Sequence, residues 1–192
     1  QGPAPAEPSD PEALPPDPAA VDDWARDEAP AAATALPDSA DRSLTVERDI
    51  LKLILQRPDL FQKAAEPWFG VTAADFTDLA YQAVFAAAAA ADAVRPDWAQ
   101  RVLLALPEAH LRDWAIQLAV EPLGPEPAER HAQEYCAKLR LLAVDRSLAA
   151  LKSVMQRTNP LTDQVKYDEW FRQMIDLESR RNALLRITLG ED

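Results

Sequence analysis

The feature that most constrains this chain is a stretch from about Pro127 to Asn159 that contains no internal glycine or proline. We predict one helix of about thirty residues there, longer than the roughly 8 to 20 residues of a usual globular helix. At 100° per residue, its apolar side chains form two stripes on opposite sides of the helix. One stripe contains Ala128, Ala132, Tyr135, Leu139 and Leu142, and the other contains Ala137, Leu141, Val144, Leu148, Leu151 and Met155. We therefore expect the first half to bury against the preceding residues and the second half to pack on the following ones.

The residues that follow predict a second long helix, folded back on the first. Asn159-Pro160 ends the first helix because proline cannot continue it, and the second helix runs from about Asp163 to Thr188. Its apolar face comprises Tyr167, Trp170, Phe171, Met174, Leu177 and Leu185, with Ile175 at the edge. Trp170 and Ile175 lie about 140° apart, which is wider than the roughly 100° that one packing partner covers. The surplus surface has two interpretations, packing on the body of the same protein or docking of another protein.

The residues before this hairpin predict a small helical bundle. Four glycines in 192 residues are few for a loop-rich β architecture, and no stretch keeps an alternating apolar pattern over strand length. Apolar stretches separated by prolines indicate several short helices, the first beginning near Leu44. We predict an all-α fold with a helical bundle over residues 44–142. A C-terminal helical hairpin over 143–192 consists of the second half of the long helix and the last helix.

Residues 1–43 predict a disordered linker rich in proline, alanine and acidic residues. Residues 1–41 hold nine of the 17 prolines and ten of the 32 acidic residues, against one basic residue, Arg26. They contribute −9 to the net charge of −12, so residues 42–192 carry only −3 and lack the basic stripe of a duplex-binding surface. Within the linker, Val21-Asp22-Asp23-Trp24 is either a binding anchor or simply an exposed tryptophan. With no initiator methionine and no signal-peptide pattern, Gln1 is expected either to begin a piece of a longer chain or to follow an expression scar.

The sequence contains no familiar motif for catalysis, phosphate binding or metal binding. His131, Glu134, Tyr135 and Cys136 lie close together on the long helix, but with His110 as the only other histidine they fall short of a zinc site. Cys136 is expected to be a small buried residue and not a nucleophile. The single cysteine fits a reducing compartment, and no apolar run is long enough for a membrane span. We therefore expect no catalytic site, cofactor or metal in this chain, and no membrane association.

Five segments carry a resemblance when they are taken in order. They are ERDILKLILQRPDL at 47–60, DFTDLAYQAVFAA at 75–87, QLAVEPL at 117–123, DRSLAALKSVMQRTNP at 145–160 and LESRRNALL at 177–185. Together they resemble the C-terminal helicase-binding domain of bacterial DnaG-type primases, in particular actinobacterial versions. The resemblance covers about residues 42–188 and implies a helical bundle followed by a hairpin that docks on the hexameric replicative helicase. It implies a non-catalytic domain of a DNA primase, which recruits RNA primer synthesis to the replication fork.

The resemblance also implies which residues bind partners. The helicase-binding residues expected on the hairpin are Tyr167, Trp170, Phe171, Arg172, Ile175, Arg180, Arg181 and Ile187. Family members also bind the acidic, apolar tail of single-strand DNA-binding protein, for which Arg48, Leu51 and Lys52 are candidates by position. The parent primase would be a DNA-directed RNA polymerase that uses zinc and magnesium in its other domains. It would act in the cytoplasm, at the replication fork of the nucleoid, and this fragment is expected to be monomeric.

Three alternatives stay open at the level of sequence. The N-terminal domain of a replicative helicase has a similar fold and would self-associate through its hairpin, and a monomeric mass argues against it. A catalytic helical domain would hold a metal at His131, which metal analysis of the purified chain would decide. The third alternative is a generic helical scaffold.

Overall fold

The computed structural model describes residues 33–190 apart from residues 63, 92, 125–127 and 160–162. The described residues form no strand and six α-helices: α1 Thr45–Gln56, α2 Leu79–Ala90, α3 Trp98–Ala105, α4 Ala109–Val120, α5 Glu129–Arg157 and α6 Gln164–Leu189. The predicted all-α class is therefore confirmed. Within this part of the chain, no helix is both long and apolar enough to cross a membrane. Residues 1–32 of the predicted linker, including Trp24, lie outside the described residues.

Helices α1 to α4 together form one apolar core, which the first half of α5 completes. α1 lies in the middle of this core because apolar residues cover nearly all its sides, and Ile50, Leu51 and Ile54 are fully buried. Helices α2 to α4 add buried aromatic and aliphatic side chains, among them Tyr81, Val84, Phe85, Trp98, Val102, Leu111, Trp114 and Leu118. Pro58 and Pro107 lie just beyond the ends of α1 and α3, where the sequence predicts breaks.

A buried carboxylate joins α1 to the segment before α2. Glu47, in the first turn of α1, is the buried charged residue of the described chain. Its side chain accepts hydrogen bonds from the backbone N–H of Thr77 at 3.0 Å, from the Thr77 hydroxyl and from the backbone N–H of Asp78. These donors satisfy a carboxylate whose burial would otherwise be costly. Glu47 thereby holds the start of α2 against α1.

α5 is one unbroken helix, as the sequence predicts, and it is buried on two sides. Ala132, Cys136 and Leu139 belong to the bundle core. Leu148 and Leu151 are also buried but lie outside that core. At 100° per residue, Leu148 lies about 160° from Ala132 around the helix. The predicted change of buried side along the helix is therefore confirmed.

Three residues that the sequence assigns to the core stripe of α5 are not in the core. One is Ala128, which is exposed and precedes the first residue of the helix. Tyr135 is 41% exposed and Leu142 is 37% exposed, so both assignments are wrong. The reason is geometric, because the stripe follows Ala132, Cys136 and Leu139, whereas Tyr135 and Leu142 lie about 60° to 80° to one side of Ala132. Both side chains therefore reach the surface beside the core.

α6 runs antiparallel to α5 and packs along it. Two ion pairs join the helices, Lys152 with Glu178 at 3.2 Å and Asp145 with Arg181 at 2.7 Å. Thr188, near the end of α6, lines a small cleft with Lys138 of α5. α6 therefore returns past residue 142 towards the first turns of α5. The division of the chain between residues 142 and 143 stays a prediction.

Candidate partner-binding surface

The side of α6 turned away from α5 carries exposed apolar side chains. Leu184 is the buried residue of α6 and marks the side that packs on α5. On the other side, Phe171 is 48% exposed and Ile175 is 53% exposed. Their spacing of four residues places them on adjacent turns of one face, and we call this pair the outer stripe. Neighbouring exposed apolar and aromatic side chains are typical of protein docking sites.

The eight predicted contact residues of the hairpin form two groups in the structure. Phe171, Arg172, Ile175 and Arg180 are exposed, whereas Tyr167, Trp170, Arg181 and Ile187 are half-buried. Trp170 lies within about 40° of Leu184 around the helix, on the side that packs on α5. The structure therefore places four of the eight in exposed positions. The role of all eight in binding stays a prediction.

Arg181 lies at the seam between the two helices of the hairpin. Its Nε donates a hydrogen bond to Asp145 Oδ1 at 2.7 Å. This hydrogen bond and the charge of Asp145 raise the pKa of Arg181. The ion pair between Lys152 and Glu178 lies on the same seam. Arg181 therefore holds α6 against α5, which leaves other cations to face a partner.

The predicted cluster on α1 is only partly available at the surface. Leu51 is fully buried in the core, so its assignment as a contact residue is wrong. The sequence could not reveal this, because α1 is apolar on nearly all sides. Arg48 Nε donates to Glu121 Oε2 at 3.2 Å, and Lys52 Nζ lies 3.6 Å from the same carboxylate oxygen. Burial alone would lower the pKa of Arg48, but the hydrogen bond and charge of Glu121 raise it.

A groove of about 420 Å³ lies beside this cluster. It is lined by Asp49, Lys52, Leu53, Leu123, Gly124, His131 and Tyr135. These residues come from α1, from the loop after α4 and from the start of α5, so the groove exists only in the folded chain. The sequence pattern does not indicate that Leu123 and Tyr135 line one site, or that the buried Leu53 also borders it. The exposure of Tyr135, which contradicts the core assignment, is what gives the groove an aromatic wall.

The described residues offer no metal site of three or more His, Cys, Asp or Glu side chains. His131 Nδ1 accepts a hydrogen bond from the backbone N–H of Ala128 at 3.3 Å, at the start of α5. Cys136 is buried, and burial raises the pKa of its thiol to about 12. The thiol is therefore protonated at neutral pH and is not a nucleophile.

Comparisons with known proteins agree on one family. The family model described as DNA primase DnaG DnaB-binding matches residues 47–169. The DNA primase of Mycobacterium leprae is 31% identical over 166 residues, which are 82% of this chain and 25% of that protein. The DNA primase of Mycolicibacterium smegmatis is 30% identical over 165 residues, which are 81% of this chain and 25% of that protein. The chain thus spans about a quarter of the length of these relatives.

A solved structure is also similar. It is described as the helicase binding domain of primase from Mycobacterium tuberculosis, and it matches with a TM-score of 0.58 and 26% sequence identity. The match covers 78% of this chain and 95% of that chain. The similarity therefore extends over nearly the whole of the solved domain.

Proposed function

Because the chain belongs to the family of DnaB-binding domains of DnaG primases, we propose that it attaches a primase to the replicative helicase. The observation that carries this proposal is the outer stripe, in which Phe171 and Ile175 are exposed on a helix that packs along α5. Binding removes this apolar surface from water, which supplies the main favourable free energy of the contact. The similarity to a solved helicase-binding domain supports the same conclusion.

The proposed contact surface divides its work between apolar and charged residues. Phe171 and Ile175 form its centre, where buried aromatic and aliphatic side chains contribute most to affinity. Arg172 is exposed about 60° from Ile175 around the helix and acts on orientation and association rate, as charges at the rim of an interface do. Arg180 is also exposed, but it lies about 140° from Ile175 around the helix, away from this centre. Arg181 contributes by holding α6 in place on α5.

The domain is proposed to act as an adaptor and to carry out no catalysis itself. In the parent protein, a DNA-directed RNA polymerase with zinc and magnesium in other domains, the linker connects this adaptor to the polymerising domain. Tethering raises the effective concentration of that domain at the helicase. A contact of modest affinity is then enough to direct primer synthesis to the replication fork, in the cytoplasm at the nucleoid.

The mass of the complex tests this proposal. The matches to primases favour it over a helicase N-terminal domain. By light scattering, we expect the chain alone to behave as a monomer of 21.2 kDa and to raise the mass of the cognate hexameric helicase when the two are mixed. An unchanged helicase mass would overturn the proposal. Self-association of the chain alone would instead support the helicase alternative.

The groove beside α1 supports a second proposed partner, the acidic, apolar C-terminal tail of single-strand DNA-binding protein. The groove combines the cation Lys52 with the apolar side chains of Leu53, Leu123 and Tyr135. A carboxylate of the tail would pair with Lys52 in competition with Glu121. Arg48, beside the groove, is the second cation within reach of Glu121.

Titration with a fluorescent tail peptide tests this second partner. Lys52→Ala combined with Tyr135→Ala should weaken binding about tenfold, because a charged hydrogen-bond donor and an aromatic wall are lost. Glu121→Gln should strengthen binding, because it releases Lys52 and Arg48 from a competing carboxylate. Equal affinity in the wild-type chain and in both variants would overturn the proposal.

A further inference from the structure

Two polar contacts attach α5 to the bundle at residues that follow its last core residue. Leu139 is the last residue of α5 in the described core, and two polar attachments follow it. Arg140 Nη1 donates a hydrogen bond to the backbone carbonyl of Phe69 at 2.9 Å. The guanidinium of Arg146 donates to the backbone carbonyl of Asp75. Both acceptors belong to 3₁₀ turns between α1 and α2, Pro67–Gly70 and Ala73–Asp75.

The positions of the two arginines on α5 are suited to fixing its direction. Arg146 lies six positions after Arg140, which corresponds to about 9 Å along the helix axis. Relative to Ala132, Arg140 lies about 80° to one side and Arg146 about 40° to the other. The two attachments therefore flank the side of α5 that faces the core. Two separated points on opposite flanks resist both tilting and rolling of a helix.

The turn that Arg140 contacts has an unusual backbone. Trp68 and Phe69 have φ angles of 55° and 51°, and Gly70 follows at 73°. A left-handed backbone is unfavourable for residues other than glycine and persists only where surrounding contacts hold it. The rings of Trp68 and Phe69 pack on Phe61, with centroids 5.2 and 5.7 Å apart. A Cβ at Gly70 would lie 2.7 Å from Arg140 Nη1, so this turn and this arginine fit each other closely.

We propose that Arg140 and Arg146 are positioning residues that clamp the α5–α6 hairpin in one orientation on the bundle. α6 packs along α5. A partner that holds α6 therefore also fixes the orientation of the bundle, because α5 is attached to the bundle. With both hydrogen bonds in place, the hairpin and the bundle turn as one body. This inference rests on the proposed function only for its consequence, which is that the bound helicase sets the orientation of the bundle.

Distance measurements between two spin labels test the clamp in the free chain. The labels are placed at Glu169→Cys on α6 and Gln100→Cys on α3, both exposed positions. Cys136 stays unlabelled because it is buried and its thiol pKa is about 12. Arg140→Met with Arg146→Met removes both donors while keeping the aliphatic bulk. Arg101→Met, an exposed arginine on α3, is the matched control.

The clamp predicts a narrow distance distribution in the wild-type chain and in the control. Loss of one charged hydrogen-bond donor weakens each attachment roughly tenfold, so the double variant should show a broad distribution with unchanged helical circular dichroism. Arg146→Met alone, at an exposed position, should give intermediate broadening and serves if the double variant loses helical content. Equal widths in the wild-type chain and in Arg146→Met would overturn the clamp.

Helicase affinity separates this result from the proposed function. Neither arginine belongs to the outer stripe, so the double variant should bind the helicase as tightly as the wild-type chain does. A wild-type chain that fails to bind the helicase would overturn the proposed function and leave the clamp standing. Broadening that is equally large in Arg101→Met would show an effect of any charge removal and would refute the clamp.

Discussion

Replacing Phe171 and Ile175 together by alanine should weaken helicase binding while leaving the fold intact. Phe171 is 48% exposed and Ile175 is 53% exposed, so about half of each side chain has already left water in the free domain. Only the exposed half is available to a partner. Trp170 is a poorer choice because it is half-buried on the α5 side of the helix, and its removal would also loosen the hairpin.

The size of the effect follows from the exposed area. Full burial of a phenylalanine or isoleucine side chain contributes about 1.5 to 3 kcal/mol. Burial of the exposed half of each therefore contributes about 0.75 to 1.5 kcal/mol, or about 1.5 to 3 kcal/mol for the pair. This corresponds to a rise in Kd of roughly 10- to 150-fold. The free energy of unfolding should change little by comparison, because no fully buried residue is altered.

Isothermal titration of the helicase with each chain measures this change. Leu104→Ala with Val120→Ala is the matched control, since these residues are 75% and 76% exposed on α3 and α4. The control pair removes as much exposed apolar surface from the bundle and should leave Kd unchanged. The reasoning would be refuted by wild-type affinity in the Phe171 and Ile175 variant, or by an equal loss of affinity in the control.

Three further predictions concern the bundle and the hairpin seam. Glu47→Ala should lower the free energy of unfolding in urea by about 2 kcal/mol or more, because the buried donors of Thr77 lose their acceptor; an unchanged midpoint would contradict this. Asp145→Asn and Arg181→Gln, alone and together, should reveal a coupling free energy that decreases with added salt; purely additive effects would show that the pair does not hold the seam. The Cys136 thiol should resist alkylation at pH 8 until denaturant is added, because burial raises its pKa to about 12 from an ordinary value of 9.0. Since the unfolded chain loses this proton first, the contribution of Cys136 to stability is fully present below pH 9 and declines towards pH 12. Cys136→Ala should therefore make the alkaline loss of stability shallower, and an unchanged pH dependence would contradict this.

The hairpin could be predicted from the sequence because its signals are local. The absence of proline and glycine over thirty or so residues sets the length of α5, and Asn159-Pro160 marks its end. The change of buried side follows from the 100° rotation per residue, which places Leu148 nearly opposite Ala132. The exposure of Ile175 follows from the same rotation. Each of these features depends on the geometry of a single helix.

The errors concern residues at the edges of a buried stripe or in a helix with no polar side. Tyr135 and Leu142 lie at the border of the core side of α5, where a rotation of 60° to 80° decides between core and surface. Position in the resemblance predicts Leu51 as a contact residue, but α1 is surrounded by the core, and its neighbours bury Leu51 completely. In both cases the packing of other helices decides the outcome, and one helix's pattern does not contain that information.

Other features need the tertiary structure from the start. The groove beside α1 is built from Lys52, Leu123 and Tyr135, which are far apart in the chain. The contact of Arg140 with Phe69 spans 71 residues and depends on a left-handed turn that non-glycine residues seldom form. In the sequence, Glu47 is an ordinary acidic residue in the first turn of a helix. Only the structure shows that Thr77 lies beside it and donates hydrogen bonds to it. Such contacts become visible only when separate segments meet.

Hydroxyl-radical footprinting of the chain, alone and bound to the helicase, tests the central claim most directly. It reports the solvent access of individual side chains, and the ring of Phe171 is exposed in the free chain. Our account predicts that helicase binding protects Phe171 and Ile175, while Leu104 and Val120 on the bundle keep their reactivity. Full binding with Phe171 still reactive, and with protection confined to the bundle, would contradict it.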